Sequence, residues 1–242
     1  MIPVAGDGGL MQEIRLIEIK EDVLAENAGL AEDLRTRLQQ EHCLLVNLMA
    51  SPGAGKTSLI LRTLEALQPD CRPGVIEADI DSMVDSERIV EQGVPAVQLR
   101  TGGMCHLDAA MVERALDSLD IPSLDLIIIE NVGNLVCPAE FDTGAHIKVM
   151  ILSVPEGDDK PLKYPLMFQV CDVLIINKID YLDLSDFDCQ VLRQRAARLN
   201  PDIQVFEVSC RTGEGIPEWA AWLQAACSRC KAGPQGSGTV KA

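Results

Sequence analysis

The sequence predicts an α/β fold, a three-layer arrangement in which a mostly parallel sheet carries helices on both faces. Three observations carry the prediction. Apolar runs of strand length alternate with segments of helical spacing, the pattern of a parallel sheet covered on both sides. Between one such run and one such segment stands Ala50-Ser51-Pro52-Gly53-Ala54-Gly55-Lys56-Thr57, a strand–loop–helix junction rich in glycine. The 242 residues, 47% hydrophobic and 24% charged, suffice for one domain with a substantial core.

Residues 1–10 are glycine-rich, and Ile14–Ile19 reads as a short strand. From Glu21 to Gln40, Val23, Leu24, Leu30, Leu34 and Leu38 recur at helical spacing, which predicts an amphipathic helix packed on the main domain. Cys43–Met49 is a strand, the segment from Ser58 to Leu64 a helix, and Gly74–Ala78 a second strand. Ser86–Gln92 reads as a helix stopped by Gly93, Ala96–Leu99 as a strand, and Asp108–Leu119 as a helix. Leu124–Glu130 is a buried central strand ending in an acid; Ile147–Val154 and Val173–Ile176 are further apolar strands. Phe187–Leu199, Ile203–Val208 and Ile216–Lys231 read as helix, strand and helix. The organisation expected is an N-terminal segment over 1–40, a nucleotide-binding domain over 41–231 and a flexible tail over 232–242.

The glycine-bearing junction makes a phosphate cradle. Gly53 and Gly55 let the backbone wrap an anion, Ala54 lies between them, and the helix beginning near Ser58 adds its N-terminal donors. Lys56 is placed for the β- and γ-phosphates and the Thr57 hydroxyl for a magnesium ion. The strict pattern begins with glycine; here that position is Ala50, a small residue at a strand end. The chain is therefore read as a P-loop nucleoside triphosphate-binding protein.

Asn177-Lys178-Ile179-Asp180 follows the strand Val173–Ile176, at the carboxyl end where such sheets bind ligands. The Asp180 carboxylate can accept from guanine's ring N–H and exocyclic amine. Adenine presents an acceptor there and leaves the charge unpaired, so the expected nucleotide is GTP, with GDP as its product. Asn177 is expected at the base edge, the Lys178 stem over the ring, and the loop Ser209–Gly213, with Ser209 and Cys210 leading, on the other side. Hydrolysis needs magnesium and a positioned water. Asp79, Asp81, Asp85 and Glu130 follow strand ends near the expected γ-phosphate and are candidates for both tasks.

A net charge of −16 argues against nucleic acid, which requires a basic face. No apolar run approaches the roughly 18 residues of a membrane span. The first residues lack the basic-then-apolar pattern of a signal peptide, and nine scattered cysteines do not form a disulfide framework. The expected location is the cytoplasm, with reduced thiols.

Cys105-His106 follows the third strand and Cys137 lies in a later loop. Thiolate and imidazole suit Ni2+ or Zn2+, but adjacent Cys and His do not fill a tetrahedron, so a second chain is a possible source of further ligands. Cys227-Ser228-Arg229-Cys230 has metal-like spacing, with no partner pair evident in sequence. Cys43, Cys71, Cys171, Cys189 and Cys210 read as ordinary small residues, and His42 and His146 as structural.

Three segments resemble the hydrogenase nickel-incorporation GTPases of the HypB family: Thr101–Ala109, with Gly-Gly-Met-Cys-His at its centre; Glu130–Pro138, Glu-Asn-Val-Gly-Asn-Leu-Val-Cys-Pro; and Ser153–Pro165. With the phosphate loop and Asn177–Asp180, the resemblance covers about residues 12–228. It implies a SIMIBI-type GTPase that dimerises with GTP. Cys105, His106 and Cys137 then match metal positions at the dimer interface, Asp79 a magnesium-site acid and Asp85 a catalytic acid. Lys160 matches a lysine that approaches the nucleotide of the other subunit. The implied partners are a small nickel-carrying metallochaperone and the [NiFe] hydrogenase large-subunit precursor. Many members carry an N-terminal cysteine motif or histidine run; Met1–Leu10 contains neither Cys nor His, so that site and any storage role are expected to be absent.

Three rivals stand beside this reading. A urease-type delivery GTPase would carry Cys-Pro-His as a tripeptide, whereas Cys105-His106 and Cys137-Pro138 are separate here. A P-loop small-molecule kinase would need a lid, and nothing from Pro155 to Pro165 announces one. The third is a zinc-binding interaction protein that retains the fold.

Overall fold

A computed structural model describes residues 19–67, 69, 71–79 and 89–233. Among them, seven strands form one sheet: β1 (Leu44–Ala50), β2 (Pro73–Asp79), β3 (Ala96–Arg100), β4 (Leu126–Glu130), β5 (Ile147–Ser153), β6 (Val173–Asn177) and β7 (Gln204–Glu207). Their order is β3-β2-β4-β1-β5-β6-β7. Every pairing is parallel, so all the strand-to-helix loops that carry the predicted motifs emerge on one edge.

Helices cover both faces, as alternation along β1 requires. Val46 and Leu48 point into a core shared with α2 (Lys56–Ala66) and α8 (Ile216–Ala232), through Leu59, Ile60, Trp219 and Leu223. Leu45 points the other way, toward Leu34 and Leu38 of α1 (Ile19–Gln40) and Val112 of α3 (Ala109–Leu116). Met49 joins a third cluster with Phe168 of α6 (Pro165–Val170) and Leu192 of α7 (Cys189–Leu199). In α1, Leu38 is fully buried, and the Asn27 amide joins the Asp142 carbonyl (2.8 Å) to the Ala109 N–H (2.8 Å).

Several boundaries differ from expectation for local reasons. Asp108 precedes its helix as a cap, its carboxylate accepting from the Met111 N–H at 2.8 Å. Asp188 does the same for α7, accepting from Gln190 and Val191. Leu124 belongs to the turn before β4. Two short helices, α4 (Cys137–Glu140) and α5 (Lys160–Lys163), have too few residues to show a period. The strand expected over Ile14–Ile19 lies outside the described residues except for Ile19, which opens α1. Of the helix expected over Ser86–Gln92, residues 86–88 lie outside them, and 89–91 are helical. The expected tail lies outside them except for 232–233.

Candidate functional site

The phosphate loop joins β1 to α2. Gly53 and Gly55 have φ of 75° and 103°, conformations that side chains disfavour. A Cβ on Gly55 would also collide with Asn177 Nδ2. Asn177, 1% exposed, donates to the Ala54 carbonyl at 2.9 Å and accepts from the Lys178 N–H at 2.7 Å and the Cys210 N–H at 3.3 Å. Its amide ties the phosphate loop, its own loop and the loop after β7 together. Lys178, at φ 62°, lays its ammonium against the Gly53 carbonyl at 2.7 Å, so its stem crosses from the base-recognition loop to the phosphate loop.

A cavity of about 560 Å³ opens over this loop, lined among others by Lys56, Thr57, Ser58, Glu77, Glu130 and Lys178. The Thr57 hydroxyl donates to Glu130 Oε1 at 2.9 Å. Glu77, 2% exposed, pairs in register with Glu130 on the adjacent strand, so two acids share one wall of the cavity. Sequence reasoning passed over Glu77; the signal was a carboxylate inside the apolar run Gly74–Ala78. Asp79 ends β2, while Asp81 and Asp85 lie outside the described residues.

On the base side, the Ser209 hydroxyl donates to Asp180 Oδ1 at 2.6 Å. Oδ2 is buried and accepts no hydrogen bond among the described residues, with the Arg211 guanidinium 3.8 Å away. Lys160 does not line the cavity: its ammonium is 3.6 Å from Glu156 and 5.3 Å from the centre of the Tyr164 ring.

The loops after β3 and β4 bring Cys105, His106 and Cys137 together, with ligand atoms all within 4.8 Å of one another. The two sulfurs are 3.0 Å apart, and Cys105 Sγ is 3.9 Å from His106 Nδ1. His106 stacks on Phe141 at 3.8 Å between ring centres, and burial lowers its pKa. The hydrogen bond with Cys105 raises that of the Cys137 thiol. One segment connects this cluster to the cavity. Glu130, Asn131 and Gly133 line the cavity. Asn131, fully buried, accepts from the Leu107 N–H at 3.3 Å, and Asn134 donates to the Cys105 carbonyl at 3.3 Å. Gly133 abuts Pro52 so closely that a Cβ would lie 2.9 Å from the proline ring.

Residues 44–207 match the family described as CobW/HypB/UreG, nucleotide-binding domain. The chain is 50% identical over 216 residues to the hydrogenase maturation factor HypB of Azotobacter vinelandii, covering 89% of this chain and 71% of that one. Over 214 residues it is 44% identical to that of Escherichia coli K12, covering 88% and 74%. A crystal structure of HypB from Helicobacter pylori in complex with nickel superposes with a TM-score of 0.81 at 34% identity, covering 88% of this chain and all of that one. HypB from Archaeoglobus fulgidus gives 0.78 at 38% identity, covering 84% and 99%.

Proposed function

The chain belongs to the HypB hydrogenase maturation factors of the CobW/HypB/UreG family, and from that premise we propose that it is a cytoplasmic GTPase coupling GTP hydrolysis to nickel delivery. The observation that carries the reading is the segment from Glu130 to Cys137, which begins in the nucleotide cavity and ends in a cluster of three soft ligands. The cargo is nickel, with zinc as the competing ion. The destination is the [NiFe] hydrogenase large-subunit precursor, reached alongside a small nickel metallochaperone.

In this reading Lys56 and the N–H groups of Gly53–Ser58 hold the phosphates, and Asp180 reads guanine with the oxygen that accepts no hydrogen bond. A buried carboxylate oxygen left in that state disfavours the empty site and rewards a ligand with two donors. The Thr57 hydroxyl, Glu130 and Asp79 would hold magnesium, and the acidic wall of Glu77 and Glu130 fits a divalent ion. Held by these residues, magnesium would supply positive charge against the charge that develops on the phosphates. Asp81, Asp85 and Glu130 remain the candidates to orient the attacking water.

Three ligands leave a metal site incomplete, and a two-fold axis beside Cys105 and Cys137 would double the set. The homodimer is therefore proposed to form with GTP and to complete the metal site, and Lys160 would have to leave Glu156 to reach a partner's nucleotide. Metal analysis of the purified protein with and without a non-hydrolysable GTP analogue, beside its mass in solution, tests the reading. Metal content and mass that ignore the nucleotide would overturn it, as would hydrolysis of ATP in preference to GTP.

A further inference from the structure

The side chain of Asn27, on the N-terminal helix, touches both loops that carry the candidate metal ligands. Its amide nitrogen donates to the Asp142 carbonyl and its amide oxygen accepts from the Ala109 N–H, each at 2.8 Å. Ala109 opens α3 just after the Cys105-His106 loop, and Asp142 follows α4, the short helix that begins at Cys137. Asn27 stands on the stripe of α1 that continues as Ala31, Leu34 and Leu38, all buried. A half-buried polar residue therefore holds a position that helical spacing assigns to the core. Such a residue needs partners, and this amide is bonded at both ends.

The segment after Cys137 is fastened to α1 by more than this bond. Arg35 reaches the Asp142 carboxylate at 2.9 Å and the Ala145 carbonyl at 3.3 Å, and a Cβ on Gly144 would stand 2.9 Å from Leu34 Cβ. Through Asn27 the loop of Cys105 and His106 is fastened to the same helix. A second tie joins the two loops ahead of Cys137 in sequence, where Asn134 donates to the Cys105 carbonyl at 3.3 Å. Two ties, one before Cys137 and one after, fix an angle as well as a distance; without Asn27 the loops are hinged at the first. Across this frame the two sulfurs lie 3.0 Å apart, and the His106 ring stacks at 3.8 Å on Phe141, the neighbour of Asp142. We propose that Asn27 is a positioning residue for the metal cluster: its amide fixes the separation of the two loops, and with it the spread of the Cys105, His106 and Cys137 ligand atoms.

A metal ion demands donor atoms at set distances, so groups that hold the ligands in place are worth about 10–100-fold in affinity. The role in metal binding rests on the nickel reading above, whereas the separation of the loops does not, and the two are measured apart.

In the first measurement nickel is titrated into the whole protein and followed by its sulfur-to-nickel charge-transfer absorption. Asn27→Ala, and Asn27→Asp, which keeps the acceptor for Ala109 but loses the donor to Asp142, should each bind about tenfold more weakly with altered band intensities. Leu38→Val, which loosens the buried stripe of α1 elsewhere, should bind like the wild type. In the second, metal-free protein is equilibrated with mixtures of oxidised and reduced glutathione and quenched in acid, and the Cys105–Cys137 disulfide is quantified by peptide mapping. Its formation constant should fall in the Asn27 variants in step with nickel affinity. Wild-type nickel affinity in a folded Asn27 variant overturns the role in metal binding, and a wild-type disulfide equilibrium overturns the fixing of the loops. Equal losses in Leu38→Val overturn both in favour of general stability. Nickel absorption that persists when Cys105 and Cys137 are both changed to serine overturns the nickel reading instead, and the glutathione equilibrium still decides what Asn27 does.

Discussion

The side-chain amide of Asn177 donates to the carbonyl of Ala54 at 2.9 Å across 123 residues of sequence, fixing the base-recognition loop to the phosphate loop. The same nitrogen occupies the space a Cβ on Gly55 would need.

Asn177→Ala should therefore act on both loops. It leaves the Lys178 and Cys210 N–H groups without their acceptor, a cost of about 1–3 kcal/mol in stability, and nucleotide affinity should fall with it. Gly55→Ala should be worse for binding, because it combines strain at φ 103° with displacement of Asn177. Urea unfolding and nucleotide titration of both variants check this; native affinity in Asn177→Ala would show that the brace is dispensable.

Asp180→Asn replaces a carboxylate that has one oxygen committed to Ser209 and one that accepts no hydrogen bond among the described residues. GTP binding should weaken by about 2–4 kcal/mol. Preference should shift toward xanthosine triphosphate, whose ring carries an acceptor where guanine has its amine. Competition titrations with the two nucleotides read the shift directly.

Lys56→Ala should abolish GTP hydrolysis while leaving the unfolding transition almost unchanged, because the loop lysine adds little to the core. Phosphate release and thermal unfolding, measured on the same preparation, separate the two effects. A folded variant that still turns over would remove Lys56 from the machinery.

Metal and nucleotide should be coupled through the Glu130–Cys137 segment. Metal affinity of the wild type should differ between a GTP analogue and GDP, and by linkage the metal should alter nucleotide affinity equally. Cys137→Ser should lose metal affinity in both states. Asn131→Ala, which removes the acceptor for the Leu107 N–H, should reduce the difference between states. Equal affinity in all samples would leave the cysteines structural.

Acid stability should report on Asp125. The Arg72 guanidinium holds this buried carboxyl at about 2 against its ordinary 3.8. A depressed carboxyl stabilises the fold above its unfolded value and loses that contribution as pH falls toward the folded one. Stability should thus decline by about 2 kcal/mol between those two values. Asp125→Asn should flatten that part of the curve in urea unfolding at stepped pH.

Much of this protein is decided locally, and that part was legible in sequence. Strand-length apolar runs must be buried on both faces, which requires a parallel sheet with helices on each side. Gly53, Gly55, Lys56 and Thr57 are neighbours in the chain, so their geometry follows from one loop. Cys105 and His106 could be marked as soft ligands because residue type alone fixes that chemistry.

Tertiary structure decided what depends on strand order. Placing β4 between β2 and β1 sets Glu77 beside Glu130, and the loops that follow the strands bring Cys137 to Cys105. Neither contact leaves a trace in local spacing. The bracing role of Asn177 was hidden for the same reason: its partners at Ala54 and Cys210 lie 123 and 33 residues away. Cys43 and Cys71 looked ordinary because each stands alone in its own segment, while Cys227 and Cys230 had metal-like spacing but no partner pair in sequence. Their segments meet around Asp125 only where the amino ends of two strands reach the last helix, since the packing of distant segments, unlike the preference of a single one, is set by the whole chain's burial.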